Sequence, residues 1–177
     1  MKNKITNLGI WMVSVLVLVL TDQYTKLLAV AHLKNQQPFI IWDGVFELLY
    51  SENRGAAFGI MQGRQFFFFL VAFVVVAAAV YLMLRMPALD ARRYHWLRIC
   101  VILITAGALG NMVDRIAQGY VVDFFYFSLI NFPIFNVADI YVTTATALLL
   151  FLFCFYYKEE ELACFQWKGH GQKGETH

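Results

Sequence analysis

The chain has 177 residues, 60% of them hydrophobic and 15% charged, with a net charge of +2 at neutral pH and a mean hydropathy of +0.61. A soluble domain is nearer half apolar and about a quarter charged. This chain has too little polar surface to cover a water-soluble globule, and its net charge is too small to suggest nucleic acid. It reads as one compact integral membrane bundle with no second domain.

Met1 to Asn7 carries Lys2 and Lys4, and Ile5 to Thr21 is nearly all apolar. No small-residue cleavage site follows, so the run reads as a first transmembrane helix and not a signal peptide. Its 17 residues span roughly 25 Å, which places Asp22 near the far boundary. Phe39 to Tyr50 contains β-formers split by Asp43-Gly44, the pattern of a hairpin. Open strand edges cannot sit in lipid, so a small sheet on the membrane surface is expected. Phe66 to Leu84 is uncharged and forms the second span, and Arg85 to Arg98 a short basic loop. Ile99 to Val113 is the third span, short at 15 residues, and Ile140 to Tyr157 the fourth. The expected organisation is a four-helix membrane bundle with an extracytoplasmic β-sheet cradle over residues 1–157. A charged, solvated and poorly ordered cytoplasmic tail is expected over 158–177.

With the N-terminus inside, nine of the 14 Lys and Arg residues fall on the cytoplasmic side, the arrangement the positive-inside rule favours. Both termini are then cytoplasmic. Asp22, Asn53, Arg54, Asn111, Asp114, Arg115, Asp123, Asn136 and Asp139 all fall on the outer side, and they would still share a side if the chain were inverted.

Asp123 and Asp139 lie in a stretch rich in aromatic and apolar residues, and each has mainly apolar neighbours. A carboxylate there is costly unless paired, hydrogen-bonded or protonated. Asn111/Asp114 and Asn136/Asp139 each place Asn and Asp at i, i+3, on nearly one helix face, where each Asn can donate to a carboxylate. Arg115, beside Asp114, is a further partner for a carboxylate. Helix capping and interhelical glue account for such residues structurally, and most readily for Asn111, Asp114 and Arg115. If Asp123 and Asp139 face each other, they cannot both ionise cheaply and the pair holds one proton. One member then takes a proton from water while the other polarises a carbonyl, which is amide hydrolysis without a covalent intermediate.

Three other readings compete. A Ser/Lys dyad would use Ser51 with Lys26 or Lys34, but no G-x-S-x-G elbow exists. A small proton or cation path would use intramembrane Asp, though these acids sit at span ends. A scaffold protein explains the bundle but not the two acids. Cys100, Cys154 and Cys164 read as packing thiols, and the four histidines form no metal-binding pattern.

The blocks Asp22-Gln23-Tyr24-Thr25-Lys26, Asn53 to Gly59, Gly107 to Arg115, Val121 to Phe124 and Phe135 to Asp139 occur in an order and spacing that resembles the lipoprotein signal peptidases, the type II signal peptidases of bacteria. The resemblance covers roughly Gly9 to Tyr157. Ala106 departs from it, standing where the family usually has a second Gly. The resemblance implies an aspartyl peptidase of the bacterial cell membrane, its site at the outer face, cutting on the amino side of a diacylglyceryl-modified cysteine. It implies Asp123 and Asp139 as the catalytic dyad. Asn53, Arg54, Asn111, Arg115 and Asn136 are implied as substrate-binding or dyad-supporting, and Asp22 and Asp114 as structural polar residues. It implies prolipoprotein substrates within membrane lipid, no metal or organic cofactor, and no obligate protein partner. The aromatic segment Phe124 to Phe135 is expected to be a surface flap. Leu162-Ala163-Cys164 resembles the end of a lipobox but lacks a preceding signal segment.

Overall fold

The computed structural model describes residues 2–55, 65–87 and 91–165. The expected turn over 56–59, Arg64 and the tail from 166 onward lie outside the described residues. Among the described residues four helices are long and apolar enough to cross a membrane. They are α1 (Lys2–Leu33), α2 (Gln65–Arg85), α3 (His95–Gln118) and α4 (Val137–Phe151). A π-helical turn, Leu152–Tyr156, continues α4.

α1 does not stop near Asp22, as expected, but runs through it to Leu33. The reason is which face the polar residues occupy. Asp22 and Lys26 are buried against the bundle while Tyr24, Leu27 and Leu28 are exposed, so the outer surface stays apolar past the charges. The 32 residues reach roughly 48 Å, longer than the hydrocarbon core of about 30 Å. α3 is likewise longer than its uncharged run, with 24 residues, and Arg98 lies buried within it rather than in a loop.

α3 packs against each of the other three helices. Small residues permit this. A Cβ on Gly107 would meet Ala138 O at 2.5 Å and Val142 Cγ2 at 2.6 Å, and one on Gly110 would meet Asp22 Oδ2 at 2.6 Å. Ala106 is fully buried, so alanine fits this tight packing. Met83, Cys100, Ala145 and Leu152 fill the core between the helices, while apolar side chains such as Phe66, Phe73 and Phe155 point outward. That inverted surface is what a lipid solvent selects.

The hairpin is present. β1 (Phe39–Trp42) pairs antiparallel with β2 (Phe46–Asn53). Gly44 at φ +67° supplies the left-handed residue of the three-residue loop. A third strand, β3 (Val121–Tyr126), completes the sheet in the order β1-β2-β3. It follows directly from α3, which ends on Gly119 at φ +80° with its N–H bonded to Arg115 O. β3 corrects the expected flap. Phe124 and Phe125 belong to the sheet, and the backbone of Phe135 bonds to both at 3.0 and 2.8 Å. Only the loop over 127–132 presents exposed apolar residues, among them Leu129 and Ile130.

At the opposite end the chain does not leave the bundle at 158. Glu159–Phe165 forms a 3-10 segment docked by Arg93. The Arg93 guanidinium grips both Glu161 carboxylate oxygens at 2.7 and 2.9 Å and also donates to Tyr156 O. Tyr94 Oη donates to Glu161 O at 2.7 Å, and Tyr81 Oη to Phe165 O at 3.1 Å.

Candidate active site

The α1–α2 and α3–α4 connections meet at one end of the bundle, and the β2–β3 ladder joins them. The register sets Ser51 opposite Asp123 and Asn53 opposite Val121. With a side-chain period of two, Asn53 and Asp123 share a face as diagonal neighbours. Asn53 Nδ2 accordingly donates to Asp123 Oδ2 at 2.9 Å.

Asp139 reaches the same place from α4. Asn136 is the N-cap residue: its side chain accepts from Asp139 N at 3.1 Å, while Asp139 Oδ2 accepts from Asn136 N at 3.1 Å. This reciprocal capping box fixes the Asp139 carboxyl at the first turn. Asn136 Nδ2 also donates to Asp123 Oδ1 at 2.6 Å and to Asn111 Oδ1 at 3.1 Å. Asn111 Nδ2 donates to Asp139 Oδ1 at 2.8 Å. Asn136 therefore bonds to both acids. All four carboxyl oxygens hold one protein donor each and keep capacity for another partner.

Asn111 and Asp114 lie on one face of α3 at i, i+3, and Asn111 donates to a carboxylate, but that carboxylate belongs to α4. Asn111 turns to Asp139, and Asp114 turns to α1 and β3. Asp114 Oδ1 accepts from Gln23 Nε2 at 2.8 Å, and Oδ2 accepts from Val122 N at 3.0 Å. Asp22 Oδ1 accepts from Ala138 N at 2.9 Å. Lys26 sits between these two acids, 2.8 Å from Asp22 and 3.1 Å from Asp114.

Arg115 forms no ion pair with a carboxylate among the described residues. Its guanidinium donates to Asn111 O at 3.2 Å and Gly55 O at 3.0 Å and lies over the Phe68 ring at 4.1 Å. It thus ties the end of the β2 segment and α2 to α3. Arg54 points away, pairing with Glu52 at 3.3 Å and lying over the Tyr120 ring at 5.4 Å.

Asp123 and Asp139 border one cavity of about 600 Å³, with Asn53, Asn111 and Arg115. Below these polar groups its walls are apolar, from Phe68 and Ala72 of α2 to Val142 of α4. Asp123 is only 2% exposed. Burial first, and the Asp139 carboxylate second, push its carboxyl up to about 7. The amides of Asn53 and Asn136 and the Lys26 cation work in the opposite direction. Among the described residues no group of three His, Cys, Asp or Glu side chains is placed to hold a metal ion.

Ser51 and the two lysines do not form a dyad. All three Lys26 donors are taken, by Asp22, Asp114 and Asn111. Lys34 pairs with Glu52 at 3.3 Å, on the strand face opposite Ser51. Gln23, Gly110 and the joining role of Lys26 were not anticipated. Their signal in the sequence was an Asp-Gln-x-x-Lys run within an otherwise apolar span.

The fold and the site define a multi-pass membrane protein with two carboxyls, one buried and one half-buried, joined through Asn136 at one end of its bundle. The sequence profile of Signal peptidase (SPase) II matches residues 14–155, and the chain belongs to that peptidase family. It is 38% identical over 148 residues to a lipoprotein signal peptidase of Streptococcus thermophilus (strain CNRZ 1066), covering 84% of this chain and 92% of the relative. It is 37% identical over 154 residues to one from Streptococcus pyogenes serotype M1, covering 86% and 95%. Among solved structures it resembles a bacterial membrane enzyme determined in meso at 2.3 Å, with a TM-score of 0.70 and 27% identity over 93% of this chain and 95% of that one. A second such structure, at 1.9 Å, gives a TM-score of 0.70 and 30% identity over 84% and 95%.

Proposed function

We propose that this peptidase removes signal peptides from diacylglyceryl-modified prolipoproteins, using Asp123 and Asp139 as a one-proton pair. The carrying observation is Asn136, which bonds to both carboxyls beside one cavity. The ionised carboxyl removes a proton from a water as its oxygen attacks the scissile carbonyl carbon. The protonated carboxyl donates to the carbonyl oxygen as negative charge develops there. The tetrahedral intermediate collapses, the C–N bond breaks, and the nitrogen leaves after taking a proton from the pair. One water is consumed, giving a carboxylic acid on the signal peptide and an amine on the lipid-modified cysteine. The cut on the amino side of that cysteine follows from the family resemblance.

The cavity suits such a substrate. Its polar rim receives the peptide bond, and its apolar lower wall between α2 and α4 receives hydrocarbon. Asn53, Asn111 and Asn136 hold the pair, Arg115 braces the rim, and Asp22 and Asp114 support the backbone behind it. Arg54 acts at the outer margin with Glu52. The site end faces away from the cytoplasm, because Lys4, Arg85, Arg92, Arg93, Arg98 and Lys158 cluster toward the other end. β1, whose four apolar residues are all exposed, fits a sheet resting on the lipid surface, with the 127–132 loop meeting lipid and substrate. A proton or cation path would need acids strung along the spans; here they gather at one end.

The test uses purified protein, a diacylglyceryl prolipoprotein and a gel-shift assay. Asp123→Asn and Asp139→Asn should each lower the rate by about 1000-fold or more while the protein still folds, and Ser51→Ala should cleave at a near-parental rate. Near-parental cleavage by either Asn variant would refute the pair.

A further inference from the structure

Asp22 and Asp114 stand in parallel relations to the two site acids. Asp22 accepts the backbone N–H of Ala138, the residue before Asp139, at 2.9 Å. Asp114 accepts the backbone N–H of Val122, the residue before Asp123, at 3.0 Å. One carboxylate therefore fixes the start of α4 and the other fixes β3. Both are deeply buried, Asp22 at 0% and Asp114 at 4% exposure. They belong to different helices, and a single ammonium lies between them. Lys26, 3% exposed, is 2.8 Å from Asp22 and 3.1 Å from Asp114.

The third Lys26 donor goes to Asn111 Oδ1 at 3.0 Å. An ammonium can only donate, so it obliges the Asn111 amide to present its oxygen to Lys26 and its NH2 to Asp139, 2.8 Å away. Without that donor, the amide loses one of the two groups that set its orientation, the other being Asn136 Nδ2.

We propose that Lys26 is the positioning residue of the site: one buried cation that sets the spacing of the two acids through Asp22 and Asp114 and the hydrogen-bonding sense of Asn111. It touches neither acid of the pair directly, and with every donor engaged it takes no part as base or nucleophile. This proposal rests on the Asp123/Asp139 reading of the activity.

Two consequences separate positioning from simple stabilisation. Displacing either acid lowers turnover more than substrate binding, because a displacement of about 1 Å costs on the order of 100-fold. Removing the cation also changes the field at Asp123. The charged groups that act on Asp123 are Lys26 on α1, Arg115 on α3 and Asp139 on α4; Asp22 and Asp114 stand behind them, against Lys26, and β2 contributes the neutral Asn53 and Ser51. Loss of Lys26 removes a positive charge from this set, so Asp123 holds its proton to higher pH.

The experiment compares Lys26→Met, the neutral triple variant Lys26→Met/Asp22→Asn/Asp114→Asn, and the exposed-lysine control Lys34→Met. Thermal unfolding in detergent, kcat, KM and the pH profile are measured with a diacylglyceryl prolipoprotein. The triple variant leaves no unpaired charge in the hub, so it keeps the test open if Lys26→Met fails to fold. In both folded Lys26 variants kcat should fall about 10- to 100-fold with KM within about 2-fold; in Lys26→Met the alkaline limb should also move up by about 0.5–1 pH unit, whereas in the triple variant, which loses two negative charges with the positive one, it should not move up. Lys34→Met should match the parent. A folded Lys26 variant with parental kcat and pH profile would overturn the proposal. Failure to recover either variant folded would also count against it, making Lys26 a residue of the fold alone. Asp123→Asn, run alongside, separates the two ideas: if it stays active the pair itself is wrong, and if it is inactive the Lys26 outcome bears on positioning only.

Discussion

Asn136 donates to Asp123 across 2.6 Å from a residue that is itself the N-cap of α4. One buried side chain therefore begins the helix carrying one acid and holds the carboxyl of the other. Asn136→Ala removes the cap, at about 1 kcal/mol, and leaves Asp123 Oδ1 without this donor. Activity should fall about 100-fold or more while the protein remains folded, as checked by cleavage rate and thermal unfolding on one preparation.

Asp123→Asn should abolish cleavage and yet stabilise the fold at alkaline pH. Unfolded, the carboxyl ionises near its ordinary value of 3.8; folded, it keeps its proton to about 7. Below 3.8 both states are protonated and there is no penalty. As pH rises to about 7 the unfolded chain releases a proton that the folded one retains, so stability falls by about 4 kcal/mol. Asparagine escapes that loss but faces two amide donors with one acceptor, which takes back about 1–2 kcal/mol. The variant should therefore melt higher than the parent at pH 8, with the difference closing at about pH 5 and the variant melting lower near pH 4, where only the cost of asparagine remains. An unchanged or lower melting temperature at pH 8 would contradict the assigned burial.

Asn53 is among the groups that hold the Asp123 pKa down. Its loss raises that pKa further, so the alkaline limb of the cleavage profile, where the pair gives up its shared proton, should lie near pH 7 in the parent and move upward in Asn53→Ala. Because Asn53 Oδ1 also accepts from Gly55 N at 3.0 Å, turnover should drop as well, by about 10-fold or more. A pH series of initial rates reads both effects, and a downward shift would be the contrary result.

Two glycines on apolar helices should respond oppositely to alanine. At Gly110 the new Cβ would lie 2.6 Å from Asp22 Oδ2, forcing the carboxylate off Lys26 or α3 off α1. A loss of about 2–3 kcal/mol is expected, together with reduced cleavage. At Gly9 nothing lies within 4 Å, and alanine should be neutral or stabilising by about 0.5–1 kcal/mol. Denaturation of the two variants in one detergent gives the comparison.

The sequence by itself determined the solvent of this protein, its four spans, the hairpin at Asp43-Gly44 and the gathering of its polar residues at one end. These follow from local information: runs of apolar residues, turn residues and the alternation of sides that each span imposes. It also placed Asp123 and Asp139 among those polar residues, because carboxylates in so apolar a stretch need a reason. The helix ends were legible only in part. A charge ends a span when it faces lipid, whereas Asp22 and Lys26 face protein, and nothing local says which way they turn. The tertiary structure alone decided the partners. β3 joins β2 across some 70 residues of chain, setting Ser51 against Asp123, and no periodicity encodes that register. Asn111 gives its amide to Asp139 rather than to Asp114, three residues away on its own helix, because Asp114 is claimed by Lys26, Gln23 and the backbone of β3. Helix periodicity can set two side chains on one face; which neighbour each one bonds is settled where separate helices and the sheet close around the same buried charge.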